Sequence, residues 1–198
     1  MNTPFMKKHF LALAMLAGLA NSPSSAVTTP TGATPAEMLA NGDFSAGVTP
    51  WTLEQTGGAT GQVDIVQGMP SGQAALRLKV LTLGDKPWGL QLCHKGIRIK
   101  KGETYVLSIW AKSDRPSPIT VNCMQDHAPW EHHGAAEEIL LSTEWKQTTF
   151  KFFGPYDDDN MRVSFTNLAL ATGQVLWFGN CSLQQIQPQM AGSPPTQH

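Results

Sequence analysis

Lys101-Gly102-Glu103-Thr104-Tyr105-Val106-Leu107-Ser108-Ile109-Trp110-Ala111-Lys112 is a turn followed by a strand. Gly102 supplies a turn residue, and from Thr104 onward Tyr105, Leu107, Ile109 and Ala111 fall on one face while polar residues alternate with them, the period-two pattern of a half-buried strand. Outward from it the same grammar recurs. Gln62 to Val66, Ala74 to Val80, Trp88 to Cys93, Ile119 to Gln125, Glu138 to Leu141, Lys146 to Phe153, Met161 to Asn167 and Gln174 to Leu183 are further short apolar or alternating runs. Gly57-Gly58, Pro70-Ser71-Gly72, Pro116-Ser117-Pro118 and Asp157-Asp158-Asp159-Asn160 separate them, each carrying residues that tolerate turn dihedrals. No window carries an apolar i, i+3, i+4, i+7 stripe of helical length. The expectation is an all-β chain folded as a two-sheet β-sandwich, a jelly roll. No internal repeat points to a propeller or solenoid.

Lys7 and Lys8 precede an apolar run from Phe10 to Ala20, and Ser24-Ser25-Ala26 provides small residues for a signal peptidase. The run is short of the ~20 apolar residues that span a bilayer. Residues 1–26 are therefore expected to be a signal peptide cut near Ala26, with no membrane insertion, and the mature chain secreted or periplasmic. Residues 27–36 are Thr/Pro/Ala-rich and residues 187–198 are Pro- and Gln-rich, so both are expected to be extensions flanking a domain at 37–186. With 14 Lys+Arg against 15 Asp+Glu, and charged residues at 15% where about 25% is usual, no long-range field favours nucleic acid. Cys93, Cys123 and Cys181 allow at most one internal disulfide. Cys123 and Cys181 share core-facing parity, which suggests a cross-sheet bond between them and a free Cys93.

The order of Asn41-Gly42-Asp43-Phe44, Trp51, Trp88-Gly89-Leu90-Gln91-Leu92, the turn-strand from Lys101 to Tyr105, Thr143-Glu144-Trp145 and the closing run Val175 to Leu183 resembles the CenC-like carbohydrate-binding modules, the grouping often written as families 4 and 9. The resemblance implies a jelly roll, a sugar chain held on the concave outer face of one sheet, and no covalent chemistry. It also implies a structural calcium between the opening and closing segments, for which Asn41, Asp43 and Asn180 would be the side-chain ligands. Ser45, Gly179 and Asn180 stand where that pattern carries acidic residues, and a hard cation prefers carboxylates.

A glycan presents apolar C–H faces ringed by hydroxyls, so its site needs flat aromatic rings beside amides or charged forks. Strand parity sorts the candidates. Leu90 and Leu92 share the core face with Trp88, leaving Gln91 opposite; Ile119, Val121 and Cys123 are core-facing, leaving Asn122 and Met124 opposite. Gln91 and Asn122 are the polar cleft candidates, with outward-pointing Arg77 as a third and Trp88 as an aromatic at the start of a bordering strand. Gln125 to Gly134 is too polar and too broken to be a strand and is expected to be a loop beside the cleft, with Trp130 as stacking platform and His127 near it. Trp51, Trp110, Trp145 and Trp177 are assigned to the core, since large aromatics are buried on average.

Two other functional classes draw on the same loop. His127, His132 and His133, with Met124, Asp126 or Glu131, could bind copper or zinc, although adjacent His132 and His133 would point apart on an extended backbone. Asp126 and Glu131 could be the acid/base pair of a glycoside hydrolase or polysaccharide lyase. The glycan and any partner enzyme are not specified by the sequence.

Overall fold

The computed structural model describes residues 35–186, so the leader at 1–26, most of 27–36 and the tail at 187–198 lie outside the described residues. Ten strands form within them: β1 Thr52–Gln55, β2 Thr60–Gln67, β3 Ala74–Thr82, β4 Leu90–Ile99, β5 Thr104–Ser113, β6 Ser117–Gln125, β7 His132–Leu141, β8 Lys146–Phe153, β9 Asp158–Thr166 and β10 Val175–Ile186. They pair antiparallel into two five-stranded sheets, ordered β1-β4-β9-β6-β7 and β2-β3-β10-β5-β8. This is the two-sheet jelly-roll sandwich expected from the alternation, which in β5 is unbroken: Tyr105, Leu107, Ile109 and Ala111 are buried and their neighbours half-exposed.

The inner faces of both sheets make one core. An aromatic column crosses it: Phe44 packs on Trp51 at 5.4 Å, Trp51 stacks on Phe165 at 5.9 Å and 13°, and Phe165 stacks on Phe178 at 4.9 Å and 3°. Phe165 belongs to β9 and Phe178 to β10, so the column ties the two sheets together. Phe44 comes from the opening motif, and the rest of that motif meets the closing strand: Cys181 N–H donates to Gly42 C=O at 2.8 Å. A Cβ on Gly42 would stand 1.8 Å from the Cys181 carbonyl oxygen, so only glycine permits the approach.

Several expectations are corrected. Trp88 precedes β4 and is 52% exposed rather than sharing the face of Leu90 and Leu92. Gln125 to Gly134 is not all loop, because β7 begins at His132, and β9 begins at Asp158 inside the run of aspartates. Of the four tryptophans assigned to the core only Trp51 is buried; Trp110 and Trp177 occupy the outward positions of β5 and β10, and Trp145 is half-buried beside them. Cys93, Cys123 and Cys181 are all free and buried, so Cys123 and Cys181 do not pair. They sit in β6 and β10, on opposite sheets, and shared parity alone does not bring Cα atoms within the ~7 Å a bond requires.

Candidate functional site

The outer face of the β1-β4-β9-β6-β7 sheet carries a cleft of about 660 Å³. Parity builds its floor. Gln91 on β4, Asn122 on β6 and Arg162 and Thr166 on β9 point away from the core, and all line the cleft. The register sets Cys93 opposite Ser164 and Ser164 opposite Asn122, a small-side-chain row between the larger polar ones. Gln91 and Asn122 are only 7% and 6% exposed, so their amides lie at the bottom, and Asn122 Nδ2 donates to Thr166 Oγ1 at 3.2 Å. Trp88 and Trp130 flank the floor at opposite ends of the strands, before β4 and between β6 and β7, each about half exposed. Trp130 adopts a φ of 66°, a left-handed conformation strained for a bulky residue, fixed by its N–H donating to His127 C=O at 2.8 Å.

Four charges lie within the cleft and neutralise one another. Lys95 Nζ is 2.5 Å from Glu54 and 3.4 Å from Asp126; Arg162 Nη1 is 3.1 Å from Glu54 and 3.4 Å from Asp126. The Arg162 guanidinium also lies 5.4 Å from the centre of the Trp130 ring, a cation–π contact that holds the platform. Burial works to raise the Glu54 carboxyl, but Lys95 and Arg162 outweigh it and hold it below the usual carboxylate range. The hydrogen bond to Glu54 holds the Lys95 ammonium above its usual range. Beneath them the Cys93 thiol is pushed up to about 12, by burial first and the Glu54 charge second, and so is inert. Sequence reasoning missed Glu54, Lys95 and Arg162. Arg162 was findable, since Met161, Val163 and Phe165 are core residues and parity turns it outward.

The remaining candidates lie elsewhere. Arg77 is on β3 of the other sheet, paired with Asp64 at 2.5 Å, and does not join the cleft. His127 lines a neighbouring hollow with Asp158 rather than the main cleft. His132 faces the cleft while His133 is fully buried, so the two adjacent imidazoles do point apart. Asp158 gathers the other pair: His127 Nε2 is 3.3 Å from Oδ1 and His133 Nε2 is 2.9 Å from Oδ2. Among the described residues no group of three or more His, Cys, Asp or Glu is arranged to hold a metal ion. Asp126 faces Arg162 and Lys95, and Glu131 is not among the cleft's lining residues, so the two carboxylates do not confront each other across it.

The side chains that the resemblance offers to calcium are partly engaged within the protein. Asn41 Nδ2 donates to the carbonyls of Gly47 and Thr49, and its Oδ1 accepts from Ala46 N–H. Asp43 Oδ1 accepts from Ser45, and Asn180 donates to Gln73. Glu37, the carboxylate beside them, accepts from the N–H groups of Met38, Leu39 and Leu183 and from the Ser182 hydroxyl. N–H groups aimed at that carboxylate satisfy it in place of a cation, and among the described residues no three acidic groups converge here, a poor donor set for a hard ion. Adding a chelator, or excess calcium, should leave the melting temperature unchanged, because an ion that does not bind the folded state adds no stability. A drop of several degrees in chelator would contradict this.

Acid should destabilise the fold. Burial holds His94 below the ordinary imidazole value of 6.5. At Asp158 burial acts against the charge, but His133, the Asn160 N–H and His127 outweigh it and hold the carboxyl below 3.8. A group with a depressed folded value contributes stability above its unfolded value and loses it as pH falls through the folded one. Melting temperature should therefore decline as pH drops below about 6.5, through His94 first and through Glu54 and Asp158 further down. His127 works in the opposite sense, raised by its bond to the Ala128 carbonyl and then by Asp158. A pH series on the protein and on His94→Asn checks the order: the early decline should be absent from the variant.

Residues 36–168 match the family described as a carbohydrate binding domain. The chain belongs to that family. It is a glycan-binding module with the two-sheet fold of a family 4/9 domain. A stretch of 100 residues is 30% identical to a cellulose 1,4-beta-cellobiosidase of Acetivibrio thermocellus, covering 49% of this chain but only 11% of that relative's length. A solved family 4 carbohydrate-binding module matches with a TM-score of 0.62 and 27% identity over 75% of this chain and 99% of its own. The N-terminal cellulose-binding domain of a Cellulomonas fimi β-1,4-glucanase shares the fold, with a TM-score of 0.55 and 20% identity over 79% of this chain and all of its own.

Proposed function

We propose that this module holds a neutral polysaccharide strand in the cleft without altering it, sugar faces stacking on Trp130 and Trp88 and hydroxyls bonding to Gln91 and Asn122. The observation that carries this reading is the convergence of two half-exposed tryptophans and two deep amides on one cleft. The mutual pairing of Glu54 and Asp126 with Lys95 and Arg162 supports a neutral ligand, since it leaves no cation in the cleft without a carboxylate partner. The same pairing argues against catalysis: a general acid needs a carboxyl kept protonated near working pH, and Glu54 is held low. A β-1,4-linked glucan is the first ligand to try, because two of the matching proteins, the cellobiosidase and the Cellulomonas fimi domain, are named for cellulose. Lys7-Lys8 and the apolar run before Ala26 support export, where such polymers are met.

Trp130→Ala should weaken binding by about 1–2 kcal/mol, the aromatic contribution beyond area plus part of the buried ring. Gln91→Ala should cost about 1 kcal/mol for a neutral hydrogen bond. Calorimetric titration with a soluble β-1,4-glucan, in low and high salt, checks both, and affinity should change little with salt because the cleft charges are paired. Wild-type affinity in both variants would move the ligand away from this cleft.

A further inference from the structure

The outward face of the second sheet carries a row of residues that the cleft does not use. The register sets Asp64 on β2 opposite Arg77 on β3, Arg77 opposite Trp177 on β10, and Trp177 opposite Lys112 on β5. Lys112 then reaches Trp145, next to the start of β8: its Nζ lies 4.8 Å from the centre of the Trp177 ring and 5.6 Å from that of Trp145. At a strand spacing of about 4.8 Å the row runs roughly 19 Å across the sheet. Beside Trp177 it opens into a hollow of about 430 Å³ lined also by Lys79 and Gln62.

The charge here is one-sided. The outward positions of these strands carry Arg77, Lys79, Lys112 and Lys151 against one carboxylate, Asp64, which Arg77 already engages. Among the described residues Lys79, Lys112 and Lys151 form no ion pair. The cleft on the other sheet, by contrast, is internally neutral. Half-buried indole rings interleaved with unpaired ammonium groups fit a ligand with apolar ring faces and negative substituents.

We propose that this face is a second binding surface, specific for a polysaccharide bearing anionic groups, whose sugar rings lie against Trp177 while its carboxylates or sulfates meet Lys112 and Lys79. It acts independently of the cleft, being on the opposite sheet. The module would then bridge a neutral strand and an acidic one.

The test titrates the full chain with polygalacturonate, with a sulfated dextran and with unsubstituted dextran. Both polyanions, or one of them, should bind, with affinity falling steeply between low and physiological salt, while the unsubstituted polymer should not bind here. Lys112→Gln and Lys79→Gln should each weaken polyanion binding about fivefold or more, and Trp177→Ala about tenfold, with neutral-glucan binding at the cleft unchanged. Trp130→Ala should leave polyanion binding intact. Binding to carboxylated but not sulfated polymer, or the reverse, identifies the anionic group. No binding to either polyanion, or binding abolished by Trp130→Ala instead of Trp177→Ala, would overturn the proposal. Polyanion binding unmoved by Trp177→Ala, with that variant melting as the parent does, would also overturn it, since charge alone would then suffice.

Discussion

Replacing Arg162 with alanine should cost about 2–3 kcal/mol of stability and weaken glycan binding roughly tenfold. The guanidinium is nearly buried and answers two carboxylates, Glu54 and Asp126, while lying over the Trp130 ring. Removing one partner of a buried pair costs about 3–5 kcal/mol when the survivor is left alone. Here Lys95 remains 2.5 Å from Glu54 and 3.4 Å from Asp126, which lowers the expected figure. Binding suffers because Trp130 loses what holds it. Arg162→Lys should restore stability better than affinity, since an ammonium lacks the planar fork that serves a carboxylate and a ring face together. Urea denaturation and calorimetric titration of both variants check this; parental midpoint and affinity in Arg162→Ala would remove the charge quartet from the account.

Trp51→Ala should be the most damaging single change, at about 3–5 kcal/mol, the range for truncating a buried large aromatic. Trp51 is buried at the centre of the column, touching Phe44 from the opening motif, Phe165 from β9 and the edge of His94 from β4. Against a typical total of about 5–15 kcal/mol, that is a third or more of the stability. The expected readout is a large fall in the urea midpoint with cleft affinity kept in whatever fraction remains folded. Trp88→Ala, at an exposed ring, should leave the midpoint where it is. Equal midpoints for Trp51→Ala and the parent would contradict the packing described.

Those two tryptophans mark how far the residues alone could be read. Alternation is a local signal, and where a strand is regular it suffices: it put Leu90, Leu92, Ile119 and Val121 inside and Gln91 and Asn122 in the cleft, because each strand has one buried face. It fails where the strand is short or lies at an edge. β1 has four residues and no apolar alternation, so Glu54 went unseen; β7 is an edge strand that opens on two adjacent histidines and a glycine, one imidazole exposed and one buried, so its start read as loop. Trp110, Trp145 and Trp177 were misplaced for another reason. An indole has apolar area enough to look like core and enough polarity to lie on a surface beside Lys112, and only the register of five strands tells which. Arg77 illustrates the same limit. Parity turned it outward correctly, but nothing in its own strand says from which sheet.

The central claim is that one cleft, walled by Trp88 and Trp130 and floored by Gln91 and Asn122, binds a neutral glycan without cleaving it. Calorimetric titration of the protein and of the Trp88→Ala/Trp130→Ala double variant with soluble β-1,4-glucan and xylan, with the same mixtures assayed for new reducing ends, tests it most directly. The account predicts saturable binding of at least one polymer by the parent, a loss of tenfold or more in the double variant at an unchanged melting temperature, and no new chain ends in either. Undiminished binding in the double variant, or accumulating reducing ends, would contradict it.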